Sequence, residues 1–251
     1  MISFDIIASG SKGNATLIFT KDRLFLIDLG IPLKQLEEEL TLFNKKVTDI
    51  DALFITHEHA DHYRGIKAIS PKKQYALKGT LPSSLSNELE AGETVSFGNV
   101  TVTPFKTSHD AKNPCGYIFT SENEKLVYMT DTGVFLEENL PLIKNPTYLI
   151  IESNHDIRML MKTNRPMELK ERIMSEHGHL CNEDSAFATL SIIGDNTKEV
   201  VLAHLSEEAN SPEVALEAYQ KVFNYAHVDM NKYHVRCANQ WTHLLGGHYE
   251  D

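Results

Sequence analysis

The chain has 251 residues, 41% hydrophobic and 24% charged, with a formal net charge of −11; it can bury a full core, and its charge argues against broad adhesion to nucleic acid or anionic membrane. No apolar run approaches the ~18 residues of a membrane span, and the start Met1-Ile2-Ser3-Phe4-Asp5 lacks the basic segment of a signal peptide. Cys115, Cys181 and Cys237 are too scattered for a disulfide framework, so a cytoplasmic chain with reduced thiols and no membrane partner is expected.

In chain order, residues 2–8 read as a first strand running into the turn-rich loop Ser9-Gly10-Ser11-Lys12-Gly13-Asn14. Its backbone N–H groups could cradle a phosphate, which makes Ser11 and Asn14 candidate substrate contacts, but it lacks the Gly-Lys-Ser/Thr ending of a nucleotide-triphosphate loop. Residues 15–19 and 23–27 suggest a hairpin, followed by Asp28-Leu29-Gly30 and a helix from about Pro32 with Leu33, Leu36 and Leu40 on one face. The apolar run Asp51 to Ile55 predicts a buried strand that delivers Thr56-His57-Glu58-His59-Ala60-Asp61-His62 to its carboxyl end, with a helix over 61–70. A short strand is expected over 73–78 and a hairpin over 94–105, ending at Ser108-His109-Asp110. Strands over 116–120 and 125–130 lead to Asp131-Thr132-Gly133, and another over 147–151 leads to Glu152-Ser153-Asn154-His155-Asp156. Helices are expected over 156–162, 166–177 and 183–193, a strand over 200–203 ending at His204, and a helix over 212–224. The tail beyond about His227 gives no clear pattern, and its ending Gly-Gly-His-Tyr-Glu-Asp suggests a loose end. Because the second half largely repeats the strands-then-helix rhythm of the first without a linker, one domain of two helix-covered sheets over 1–251, with an internal pseudo-repeat, is expected.

Strand after strand thus ends in a potential metal ligand. His57 and His59, two apart in an extended loop, can point to one side, while Asp61 and His62 approach from a second direction. His109, Asp131 and His204 complete two triads and a carboxylate able to lie between them, a ligand set suited to zinc or manganese. The five basic residues between Arg158 and Arg172, against Glu168 and Glu171, are either a solvated face or a phosphate-binding patch.

In type and order, His57-Glu58-His59-Ala60-Asp61-His62 followed by His109, Asp131 and His204 resembles the metallo-β-lactamase-fold hydrolases, with Asp28 similar to their first motif. Residues 8–15, 108–111, 152–156, 178–184 and 203–208 more closely resemble the bacterial YycJ/WalJ branch, which looks like a cytoplasmic nuclease group. The resemblance implies a four-layer αββα sandwich of two mixed β-sheets flanked by helices. It also implies one metal held by His57, His59 and His109, a second by Asp61, His62 and His204, and Asp131 bridging two divalent ions, Zn2+ or Mn2+. Asp61 would also orient the attacking hydroxide. Glu152 and His179 look like the second catalytic tier of transfer-RNA 3′-processing relatives, Glu152 orienting His179, with His155 a rival for that role. None of the three cysteines falls where antibiotic-destroying members carry a thiolate, and too few residues follow the last helix for a glyoxalase II-type C-terminal domain. The implied activity is a dinuclear metal-dependent phosphodiesterase acting on nucleic acid, an exonuclease, with Ser11, Asn14, Asn154, Arg158 and the rest of the Arg158–Arg172 segment as candidate substrate contacts. The alternatives are a cyclic-nucleotide phosphodiesterase similar to phage anti-Pycsar enzymes, a lactonase, and a non-catalytic regulatory module. Oligomeric state stays open, a homodimer included.

Overall fold

The computed structural model describes residues 1–248; Tyr249 to Asp251, on which the expected loose end partly falls, lie outside the described residues. The first sheet opens as an antiparallel meander, β1 (Ile2–Ala8), β2 (Ala15–Thr20) and β3 (Leu24–Ile27). It then continues in parallel through β4 (Ala52–Phe54), β5 (Gln74–Leu77) and β6 (Asn87–Leu89). The second sheet repeats the plan with β7 (Val95–Phe97), β8 (Val100–Lys106), β9 (Cys115–Ser121) and β10 (Glu124–Met129) antiparallel. Then β11 (Tyr148–Glu152), β12 (Glu199–Ala203) and β13 (His234–Cys237) run in parallel. Finally β14 (Leu244–Gly247) returns to the first sheet, antiparallel to β1. The strand orders β14-β1-β2-β3-β4-β5-β6 and β7-β8-β9-β10-β11-β12-β13 superpose in direction, so the internal repeat expected from the sequence is present in the topology.

Side-chain alternation explains the layers. On β1, Ile2, Phe4 and Ile6 enter a core shared by both sheets, where Phe54 packs edge-on to Phe119 with ring centroids 5.4 Å apart. The parallel strands are buried on both faces, as their unbroken apolar runs require. Tyr148, Ile150 and Val201 face the opposite sheet, while Leu149, Ile151, Val200 and Leu202 face outward. Over the first sheet lies α1 (Leu33–Leu42), burying Leu36 and Leu40; Leu33, expected on that face, is exposed. Short helices occupy the connections: α2 (Ala60–Tyr63) after β4, α3 (Leu140–Ile143) between β10 and β11, and α4 (Ile157–Lys162) and α5 (Met167–Ile173) after β11. The second sheet's outer face is covered by α6 (Asn182–Ile192) and α7 (Pro212–Tyr225), the latter through Ala215, Tyr219, Val222 and Phe223. The architecture is the expected αββα sandwich. No helix is long and apolar enough to cross a membrane among the described residues.

Four expectations change. The helix expected over 61–70 is one turn, α2, followed by a 3-10 turn at Ile66–Ala68. Gly65 breaks it by donating its N–H to the Leu29 carbonyl at 2.7 Å, at a place where a Cβ would meet the Leu29 side chain. The helix expected over 166–177 stops at Ile173, whose carbonyl accepts from the His179 N–H at 2.9 Å and turns the chain toward the site. The tail is not loose up to residue 248, since it supplies β13 and β14. Gly246 sits where a Cβ would be 2.1 Å from the Phe4 ring, a packing signal that alternation patterns do not carry. The short edge strand β6, polar at two of three positions, was not expected.

Candidate metal centre

Three strands end in a left-handed turn at a site residue: Asp28 (φ 58°) after β3, Asp131 (φ 54°) after β10 and His204 (φ 56°) after β12. Aspartate tolerates this region better than most side chains do. The two aspartates occupy equivalent places in the repeat, and each is followed two residues later by a glycine in close backbone contact. A Cβ on Gly30 would lie 1.6 Å from the Asp61 carbonyl oxygen, and one on Gly133 2.3 Å from that of Ser175. These close approaches lay the histidine-rich loop and the loop after α5 against the strand ends. The same docking is secured by hydrogen bonds from Asn14 N–H to Asp61 O at 2.8 Å and from Leu29 N–H to His62 O at 2.7 Å.

The expected ligand-type residues converge. Ligand atoms of His57, His59 and His109 all lie within 4.8 Å of one another, as do those of Asp61, His62 and His204. Asp131 groups with His57 and His62 on one side and with Glu152, His179 and His204 on the other. Four imidazoles donate from Nδ1 to fixed acceptors: His57 to Thr56 Oγ1 at 3.0 Å, His62 to Asp28 Oδ2 at 2.8 Å, His109 to the Gly178 carbonyl at 3.0 Å, and His204 to Glu152 Oε1 at 3.0 Å. Such outer bonds fix ring orientation and leave Nε2 as the ligating nitrogen. Nε2 of His57 and of His204 and Oδ2 of Asp131 are buried without a hydrogen-bond partner among the described residues. Buried polar atoms rarely remain unpartnered, and a divalent cation satisfies all three; the residues present fit the metals that the fold implies.

The electrostatics agree. Burial opposes ionisation of Asp131, yet His204, then His62, hold its carboxyl well below the usual range. Burial likewise works against the imidazolium of His62, but Asp131 and then Asp28 push it up to about 10; Asp131 and then Glu152 overcome burial at His204 and push it up to about 9. Burial, reinforced by His62, lowers His57 well below its ordinary value. Despite burial, His179 draws Glu152 down to about 2. Glu152 accepts four hydrogen bonds: from His179 Nδ1 at 2.7 Å and His204 Nδ1 on Oε1, and from Thr132 N at 2.9 Å and Leu180 N at 3.2 Å on Oε2.

A cavity of about 420 Å³ opens over this cluster, lined by Ser11, His59, Asp61, His109, Asp131, Asn154, His179 and His204. His57 and His62 are fully buried beneath it. Arg165 and Arg172 also line it, held by Glu208 and by Asp110 respectively. Both arginines belong to the basic segment expected to contact substrate; Arg165 lies in the loop between α4 and α5 and Arg172 on α5, and no sequence signal says which basic residues of the segment meet the cavity.

Three expected site residues are placed elsewhere. Asn14 is fully buried, its amide donating to the Gly10 carbonyl at 3.0 Å and lying 3.0 Å from His62 Nε2, so it braces the loop and cannot reach a substrate in the cavity. His155 and Arg158 line a separate cavity of about 230 Å³ with Cys181. His155 is buried, which pushes it down to about 4 against the pull of Glu152, and it takes no part in the His179–Glu152 pair. Residues that sequence reasoning missed are supports: Thr56, whose N–H and hydroxyl both donate to Asp28, Ser9, whose Oγ accepts from His204 N at 2.8 Å, and Gln240. The Gln240 side chain accepts from Lys12 N at 3.0 Å and donates to Gly13 O at 3.0 Å, clamping the loop after β1 from the far end of the chain.

The family model described as the beta-lactamase superfamily domain matches residues 23–205. The chain is 35% identical to an exodeoxyribonuclease YycJ of Bacillus anthracis, covering 88% of this chain and 89% of that protein. It is 36% identical to an exodeoxyribonuclease WalJ of Streptococcus pneumoniae, covering 84% of each. Among solved structures, the metallo-β-lactamase-fold protein YhfI from Bacillus subtilis superposes with a TM-score of 0.71 at 16% identity, covering 98% of this chain and 99% of that one. The short form of human tRNase Z gives 0.63 at 14% identity over 96% and 98%. At such identities these two share the fold.

Proposed function

The chain belongs to the β-lactamase superfamily, within it to the YycJ/WalJ group, and is a metal-dependent hydrolase; on that premise we propose that it hydrolyses phosphodiester bonds of DNA as an exonuclease with a dinuclear centre. The observation that carries the reading is Asp131, whose unpartnered buried oxygen stands where two three-residue clusters meet. In the proposed site His57, His59 and His109 would hold one ion and Asp61, His62 and His204 the other, with Asp131 a donor available to both. When bound, a pair of divalent ions lowers the pKa of a water and offsets charge that develops on the phosphoryl oxygens. Asp61, a quarter exposed on its side chain, orients that water toward phosphorus. His179, with its Nδ1–H fixed by Glu152, presents Nε2 to protonate the leaving oxygen. Arg165 and Arg172 face the strand's phosphates, with Ser11 and Asn154 as polar contacts.

The names of the two bacterial relatives favour DNA over a cyclic mononucleotide or a lactone. The hydrophobic core shared by both sheets supports a single hydrolase domain over 1–251, and the free thiols of Cys115, Cys181 and Cys237 suit the cytoplasm. Zn2+ and Mn2+ both suit the donor set. Asp131→Ala should abolish metal-dependent release of nucleotides from end-labelled DNA, assayed beside cyclic mononucleotides. Undiminished DNA cleavage by the variant would sink the assignment, and preferential cleavage of the cyclic substrate would replace DNA with a small signalling nucleotide.

A further inference from the structure

On the helix-covered face of the first sheet lies a second group of ligand-type side chains that shares no residue with the cavity. Asp5 sits in the middle of β1, Glu39 on α1, and His243 in the segment just before β14. Their ligand atoms all lie within 4.8 Å of one another. His243 Nδ1 is 2.7 Å from Glu39 Oε1 and 3.5 Å from Asp5 Oδ1.

Asp5 makes this more than a chance cluster. It is fully buried, yet neither of its carboxylate oxygens has a hydrogen-bond partner among the described residues, and Oε1 of Glu39 is buried without one as well. Among the described residues no lysine or arginine pairs with either carboxylate; the His243 imidazole is the one basic side chain within ion-pair distance. An unpaired buried carboxylate is strongly disfavoured, so it must hold a proton or a cation. The spacing suits the cation. Ligand atoms about 2.0–2.1 Å from a tetrahedral zinc lie about 3.3 Å apart, between the two distances observed from His243 Nδ1. Imidazole plus two carboxylates leaves a fourth position for water, and exposed His243 provides the way in.

We propose that Asp5, Glu39 and His243 form a separate divalent-cation site, selective for zinc or a similar borderline ion, which ties α1 and the β14 segment to β1. It is structural: it touches neither the cavity nor its lining. The competing state is a shared proton, since burial and then Glu39 push the Asp5 carboxyl up to about 8.

The test counts zinc per chain by mass spectrometry after loading and desalting the full-length protein, in the parent chain and in an Asp131→Ala background. Glu39→Gln and His243→Gln, at positions that are not fully buried, should each lower the count by one in both backgrounds, as should the near-isosteric Asp5→Asn. The loss should be matched by a smaller zinc-induced rise in Tm. An unchanged count in Glu39→Gln or His243→Gln overturns the proposal and leaves a proton shared between the carboxylates. Failure of the dinuclear reading is separately visible: Asp131→Ala would then lose no zinc while the difference at Asp5 persisted.

Discussion

Glu152→Gln changes one atom of a fully buried carboxylate that accepts four hydrogen bonds. Oε1 takes both imidazoles and Oε2 both backbone N–H groups, so either orientation of the glutamine amide sets its NH2 against two donors. Two hydrogen bonds to a charged group are lost, each worth about 1.5–3 kcal/mol, and the expected destabilisation is about 3–6 kcal/mol. The loss should depend on pH with a defined sign. Glu152 is drawn from 4.5 down to about 2, so its contribution is fully present above pH 4.5 and disappears as pH falls toward 2. At about 1.4 kcal/mol per unit that contribution is roughly 3 kcal/mol. Chemical unfolding between pH 7 and 3 should show the parent losing about 2 kcal/mol of this increment, the rest going as pH nears 2, and Glu152→Gln lacking the pH-dependent loss. Because the same carboxylate fixes His204 and His179, metal affinity should fall about 10–100-fold, and kcat on DNA about 100-fold or more through loss of the oriented acid. A variant with metal affinity and kcat within twofold of the parent would refute the role given to the Glu152 bonds.

Zinc binding to the metal-free protein at pH 7 should expel about two protons, from His62 and His204, whose pKa values are pushed up to about 10 and 9. Affinity should then fall about 100-fold per unit drop in pH near neutrality, and calorimetry in buffers of different ionisation heat reads the proton count directly; no release would contradict the protonation pattern. Gly30→Ala forces a Cβ to 1.6 Å from a backbone oxygen, so the histidine-rich loop must lift off β3. A fall in Tm with loss of metal is expected, and a parent-like melting curve would show that this contact is not needed. Arg172→Ala should weaken DNA binding and flatten the salt dependence of log K by about one, with kcat on saturating DNA nearly unchanged; an unaltered salt slope would remove Arg172 from the phosphate path.

The fold was legible where physics is local. Apolar runs with polar residues at their ends marked the strands, and the same arrangement brought out the ligand-type side chains that converge in the structure, since a side chain just past a buried strand emerges at the sheet's edge. What local pattern cannot give is the direction in which a loop or helix faces. Asn14 looks like a substrate contact in a glycine-rich loop, but that loop folds its amide inward against Gly10 and His62. Arg158 lies one turn or more ahead of Arg165 and Arg172, and only the packing of α4 and α5 decides that the latter two meet the cavity. His155 and His179 are indistinguishable by local pattern; what separates them in the structure is Ile173, whose carbonyl ends α5 and brings His179 to Glu152. The strands β13 and β14 were illegible because Gly246 packs by having no side chain and the short segments carry mixed polarity.

The Gln240 clamp sets a timetable. It grips a loop 227 positions earlier in the chain, and β14 pairs with β1 over a similar span. During synthesis at about 5–20 residues per second, the loop after β1 waits roughly 10–45 s for the residue that closes over it. Until then the loop lacks the side chain that holds Lys12 and Gly13 in place. The loop, and with it the placement of Ser11 at the edge of the cavity, is therefore completed only after the C-terminal segment has been made.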